Sequence, residues 1–144
     1  MVMVHHQMQL RIRYSETDQM GTFYNSRVLE WFECARTELL RAAGRSYAQM
    51  EQSGVLLPLV EAAVRFQGRA RYDDLLDLAT TAQMNGKASV RFDISIAHAT
   101  DGKPVATGHT IHAITDAVAK PIRPPSWFIV FLSGTDNPPT GVSA

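Results

Sequence analysis

Between about Asn25 and Ala43 the chain repeats at a helical period, and nothing after it does so at comparable length. Val28, Phe32, Ala35, Leu39 and Ala42 form one stripe, and Arg27, Glu30, Glu33, Thr37 and Arg41 form another. Leu29, Trp31, Cys34, Leu40 and Ala43 widen the apolar arc past what a surface helix needs, so this helix must be covered on more than one side. Asn25 or Ser26 can cap its start, and Gly44 is a natural stop. The cover has to come from strands. Leu10, Ile12 and Tyr14 alternate with polar neighbours ahead of the helix. After a helical turn over residues 46–53, the stretch 55–67 reads as a strand that Pro58 confines to an edge or a bend. Leu76, Leu78, Thr80 and Ala82 alternate up to Asn85-Gly86, a strong hairpin signal; Val90, Phe92, Ile94 and Ile96 follow, then Asp101-Gly102 and a last strand over 105–115.

The economical packing of these pieces is an α+β domain, a five-stranded antiparallel sheet wrapped around one long helix. Small or apolar residues expected on the outer sheet face (Ala79, Ala97, Ala106, Gly108, Ile114) leave that face incompletely solvated. Dimerisation by sheet extension or sheet stacking would remedy this. At 144 residues there is room for one domain. Its expected limits are a flexible start over 1–7, the domain over 8–132, with residues 121–125 ending the last strand, and a disordered tail over 133–144. Lys+Arg and Asp+Glu both number 14, which argues against nucleic-acid binding by bulk charge. The single cysteine excludes an internal disulfide framework. The start carries no secretory signal pattern, and the longest apolar run, residues 127–132, falls far short of the roughly 20 residues of a membrane helix. A cytoplasmic protein without membrane insertion is expected.

Chemistry concentrates in Tyr14-Ser-Glu-Thr-Asp18-Gln-Met-Gly21-Thr-Phe-Tyr24-Asn25. A carboxylate here stands just ahead of a long helix, whose first backbone N–H groups are unsatisfied and carry the positive dipole end. Such donors can hold a carbonyl oxygen as it gains negative charge. Gly21 lets the backbone turn tightly or approach a ligand. Spacing alone equally allows Asp18 to be no more than a cap.

Asp18-x-x-Gly21-x-x-Tyr24, followed by Trp31-Phe32-Glu33-x-x-Arg36-Thr37-Glu38-Leu39-Leu40, resembles the hotdog-fold acyl-CoA thioesterases. The resemblance is to the 4-hydroxybenzoyl-CoA thioesterase family and its Tol-Pal-associated branch. Ala70-Arg71-Tyr72-Asp73-Asp74-Leu75 and Ser89-Val-Arg-Phe92 with Asp101-Gly102 extend it over residues 8–125. It implies an acyl-CoA substrate, no metal or other cofactor, and a homodimer or homotetramer with the active site between subunits. It implies that Asp18 is catalytic, as nucleophile or general base, and that backbone N–H groups at Tyr24 and Asn25 polarise the thioester carbonyl. Tyr14, Gly21, Arg69 and Arg71 are the expected substrate contacts, the arginines because a guanidinium matches phosphate geometry. Asn25 stands where His or Tyr is frequent in the family, Arg27 and Val28 where Asn and Tyr are, and Arg69 where Pro is.

The remaining candidates read as structural. His109 and His112 point to opposite faces of a strand, His98 lies on another, and His5 and His6 fall in the flexible start. No G-x-S-x-G accompanies Ser15, Ser26 or Ser89. Cys34 is expected in the core, and Glu30 and Glu33 in ion pairs with Arg27 or Arg36 or in solvent. Two rivals to thioester hydrolysis stay open. A hydratase or dehydratase on the same fold is disfavoured because no histidine occurs between His6 and His98. A non-catalytic protein that binds acyl groups or an acyl carrier protein is disfavoured by Asp18.

Overall fold

In the computed structural model, which describes residues 3–133, a single sheet curls around a single long helix. Strand β1 (Val4–Arg11) leads through a 3-10 turn (Tyr14–Glu16) to helix α1 (Arg27–Ala42) and the short α2 (Tyr47–Gln52). Strands β2 (Leu59–Phe66), β3 (Leu75–Met84), β4 (Ser89–His98) and β5 (Pro104–Ala113) follow, then helix α3 (Ser126–Leu132). The strand order is β1-β3-β4-β5-β2, and every pairing is antiparallel. This is the hotdog architecture that the helix-then-hairpins pattern and the family resemblance both implied.

Helix α1 buries Val28, Trp31, Phe32, Ala35, Leu39 and Leu40, a set spaced by three and four residues. It ends in a Schellman motif. The Arg45 N–H reaches the Leu40 carbonyl at 3.2 Å and the Gly44 N–H reaches that of Arg41 at 3.1 Å, while Gly44 takes a positive φ of 117°. Ser46 then caps α2 through a reciprocal box with Gln49. Both hairpin turns carry glycine at positive φ, Gly86 at 86° and Gly102 at 75°. The inner sheet face buries Leu76, Leu78 and Ala82 on β3, and Val90, Phe92, Ile94 and Ile96 on β4. Strand β2 is an edge strand, one of the two alternatives that Pro58 left open.

Four expectations are corrected. Strand β1 begins at Val4, because His5 and His6 register against Thr81 and Thr80, so residues 4–7 belong to the sheet. Tyr14 does not continue β1; the chain leaves the sheet at Ile12, and Tyr14 turns outward, 76% exposed. Ala106 and Gly108 lie on the inner face, opposite Ile96 and Ile94, and Ile114 is buried as well. The reason is space: a Cβ at Gly108 would collide with the Ala63 carbonyl oxygen and come within 2.9 Å of the Phe32 ring. Cys34 is exposed on α1, not packed in the core. Partial burial, then Glu33, hold its thiol above the ordinary range.

The apolar run 127–132 forms most of α3 and closes one end of the core through Phe128 and Leu132. Among the described residues no helix is long and apolar enough to cross a membrane. The tail expected to be disordered lies, from residue 134, outside the described residues.

Candidate active site

Asp18 sits in a tight reverse loop between Thr17 and Phe23, which pair across it. Its N–H donates to the Thr22 carbonyl at 2.9 Å, and its own carbonyl accepts from the Gly21 N–H at 3.0 Å. Gly21 has φ 80°, a conformation costly for any residue with a Cβ. The Asp18 Oδ1 accepts from the Met20 N–H at 2.9 Å, closing an Asx turn. Its other oxygen has no protein partner among the described residues, and the side chain is half-buried. The loop's far side runs directly into Tyr24, Asn25 and the start of α1.

A buried carboxylate that the sequence pattern did not single out holds this loop in place. Glu16 is 3% exposed. Its Oε1 accepts from the Arg13 N–H at 2.7 Å; its Oε2 accepts from the Trp31 indole at 2.9 Å and from the Arg13 guanidinium at 3.3 Å. Burial alone would raise its pKa. The Arg13 and Trp31 hydrogen bonds outweigh burial and hold it below the usual carboxylate range. Trp31 is on α1, so Glu16 ties the loop to the helix. The legible signal was the i,i+3 spacing of Arg13 and Glu16 ahead of a loop; the Trp31 contact, fifteen residues away, has no local signature.

The expected oxyanion donors fare differently. The Tyr24 N–H is already committed to the Glu16 carbonyl at 2.9 Å, which corrects its reading as a free donor. The 3-10 turn brings that carbonyl under Tyr24, so the backbone satisfies itself there. The Asn25 N–H has no partner among the described residues. Ser26 stands at the N-cap without a side-chain capping bond, and Arg27 bridges to Glu30 at 3.0 Å and to the Ser15 carbonyl at 3.1 Å.

The loop carrying Arg69 and Arg71 folds against this same region. The Ala70 carbonyl accepts from the Phe23 N–H and the Thr22 hydroxyl, each at 3.1 Å. His98 donates from Nε2 to the Arg69 carbonyl at 2.7 Å, a structural role. Asp73 takes a positive φ of 73°, with its carbonyl held by the Arg11 guanidinium at 2.7 Å. That turn lays Tyr72 edge-on against Tyr14, ring centroids 5.5 Å apart. Arg69 and Arg71 are exposed and enter no ion pair among the described residues. Asp18, Gly21, Asn25, Tyr14, Arg69 and Arg71 thus belong to two loops joined by backbone hydrogen bonds. His109, by contrast, pairs with Glu61 at 2.6 Å on the outer sheet face.

Residues 12–132 match the family model described as the thioesterase-like superfamily. The chain belongs to that superfamily. A 1,4-dihydroxy-2-naphthoyl-CoA hydrolase of Synechococcus elongatus is 29% identical over 125 residues, 85% of this chain and 90% of that one. The provisionally named acyl-CoA thioesterase YneP of Bacillus subtilis is 38% identical over 66 residues, 46% of this chain and 48% of that protein, so this match spans about half of each. The solved structure of 4-hydroxybenzoyl-CoA thioesterase from Pseudomonas superposes with a TM-score of 0.79 at 22% identity, over 89% of this chain and 99% of that one. This last likeness is one of fold.

Proposed function

We propose that this thioesterase-like protein hydrolyses an acyl-CoA thioester to the free acid and coenzyme A. The observation that carries the reading is Asp18: one oxygen is locked by the Met20 N–H and the other is open, in a loop anchored to the start of α1. The open oxygen either attacks the thioester carbonyl or takes a proton from an attacking water. In the first route a carboxylate–acyl anhydride forms, the C–S bond breaks, and the thiolate leaves as coenzyme A; water then cleaves the anhydride. In the second, water adds directly. Both routes place negative charge on the carbonyl oxygen, and the open Asn25 N–H with the α1 dipole is the donor set suited to it. Tyr24 contributes its exposed ring as a wall, and Arg69 and Arg71 offer guanidiniums to the nucleotide phosphates. A panel of acyl-CoA thioesters assayed for thiol release tests the reading: turnover of at least one supports it, and inertness of all of them overturns it. Single turnover in heavy-oxygen water separates the routes, since label entering Asp18 itself requires the anhydride.

The working unit we propose is a cytoplasmic homo-oligomer, at least a dimer built along β2. That strand is an uncovered edge with Leu59, Val60 and Phe66 exposed, and Leu29 on α1 is exposed too. Light scattering should return a multiple of 16.0 kDa at micromolar concentration; the single-chain mass would overturn this assembly.

A further inference from the structure

Beyond the Asp18 loops, a second polar enclosure lies along the C-terminal half of α1. A cavity of about 90 Å3 is bounded by Glu33, Arg36, Thr37 and Leu40 of the helix, Tyr47 of α2, Leu57 ahead of β2, Phe92 of β4 and His112 of β5. Its polar groups are the Arg36 guanidinium, the Thr37 and Tyr47 hydroxyls, the His112 ring and the Glu33 carboxylate. The Tyr47 hydroxyl accepts from the Leu57 N–H at 3.3 Å, which leaves its own proton uncommitted. The Thr37 hydroxyl has no partner among the described residues. His112 offers no charge: its Nδ1 donates to the Leu57 carbonyl at 2.9 Å and its Nε2 accepts from the Thr110 hydroxyl at 3.0 Å.

Arg36 is the decisive group. Its guanidinium makes no hydrogen bond and no ion pair among the described residues, although Glu33 also lines the cavity. It is substantially withdrawn from water; burial pushes its pKa down, with Glu33 the main opposing influence. A guanidinium stays charged all the same, and this half-buried one, without a protein partner among the described residues, is able to take an anion. At about 90 Å3 the cavity is too small for a nucleotide and admits an acetate-sized acid. A planar monoanion matches both the single positive charge and the two-pronged donor face of arginine. The Leu40, Leu57 and Phe92 walls suit a short apolar stub.

We propose that this cavity is a binding site for a small carboxylate, held by the Arg36 guanidinium and the Tyr47 hydroxyl. It is independent of the hydrolytic reading. The test is an NMR titration of the isotopically labelled full chain with sodium acetate, and in parallel with acetamide, its neutral isostere, at matched ionic strength. Acetate should produce a saturable shift of the Arg36 Nε–H and the Leu57 N–H, and acetamide none. Arg36→Lys, which keeps the charge but loses the fork, should weaken binding by about tenfold or more. Arg36→Met should abolish it; if that variant fails to fold, the lysine variant and the isostere comparison still decide. Equal shifts with acetamide, a response that does not saturate, or full retention in Arg36→Lys would overturn the proposal. So would acetate leaving both signals unmoved while Arg36→Met lowers the particle mass, since a carboxylate of a second copy would then already occupy the site.

Discussion

At the start of α1 the buried Glu16 carboxylate accepts three hydrogen bonds within 3.3 Å, whereas further along the same helix the Arg36 guanidinium finds none. Both groups sit at the seam between α1 and the rest of the fold, yet they are built for different ends. Glu16 accepts all three of its hydrogen bonds from its own chain, which ties the loop to α1, while its neighbour Asp18 keeps one oxygen free. The Arg36 guanidinium and the Tyr47 hydroxyl instead face a cavity that they share with the Glu33 carboxylate. A network closed on its own chain holds a geometry, and donors that face a cavity can receive a ligand.

The largest expected effect tests whether the chemistry belongs to the first region. Asp18→Asn keeps an oxygen for the Met20 N–H but removes the carboxylate proposed as nucleophile or base. A loss of at least about a hundredfold in kcat is expected, with the folded state and oligomer mass unchanged. Near-normal turnover by a folded variant would move the chemistry elsewhere, to Glu30 or Glu33 first. Acid stability separates the regions next. His112 is held neutral by burial, with the Leu57 hydrogen bond opposing and Arg36 adding to the shift, and its pKa falls from 6.5 to about 4. The unfolded chain therefore binds more protons between those values. Its stabilising contribution is complete above pH 6.5 and is lost on acidification down to about pH 4, by about 3 kcal/mol at most. Denaturant midpoints measured across that window should show the slope, and His112→Gln should flatten it.

Glu16 acts in the opposite direction on the scale. Its folded pKa lies below the ordinary value of 4.5, so its contribution is full above that value and is lost as pH falls further, through the folded pKa. Glu16→Gln should cost about 2 kcal/mol at neutral pH, the range of hydrogen bonds to a charged group, and should leave the slope above pH 4.5 intact. An unchanged denaturation midpoint would mean that the anchor is dispensable. The smallest effect expected is that of Arg71→Ala, a rise of about threefold to tenfold in KM for an acyl-CoA with kcat held. A fall in kcat instead would show that the loop positions the reacting atoms and does more than grip the nucleotide.

Much of this frame was legible in the residues. The α1 stripe, Asn85-Gly86 and Asp101-Gly102 dictate helix and hairpins through local periodicity and turn chemistry, and Pro58 narrowed the start of β2 to an edge or a bend. The failures share a cause, which is that contacts distant in sequence decided them. His5 and His6 looked like loose ends until β3 supplied partners. Cys34 sits in an apolar stretch, yet the sheet covers a narrower arc of α1 than the stretch suggested. Tyr24 lost its N–H to a carbonyl eight residues upstream, brought there by a 3-10 turn that alternation hid. The pairing of the Asp18 and Ala70 loops spans 48 residues and is visible only once folded.

Gly108 has a further consequence for how such a chain can vary. Its bare backbone passes between the Ala63 carbonyl of β2 and the Phe32 ring of α1, so it joins the uncovered sheet edge to the middle of the helix. Saturation mutagenesis read by a folding reporter would return glycine almost alone at this position, while the neighbouring outer-face residues Thr107 and His109 would accept many replacements. Lineages can then diverge freely in the exposed loops, whereas the tightness with which the sheet embraces the helix is pinned by a residue that has no side chain to change.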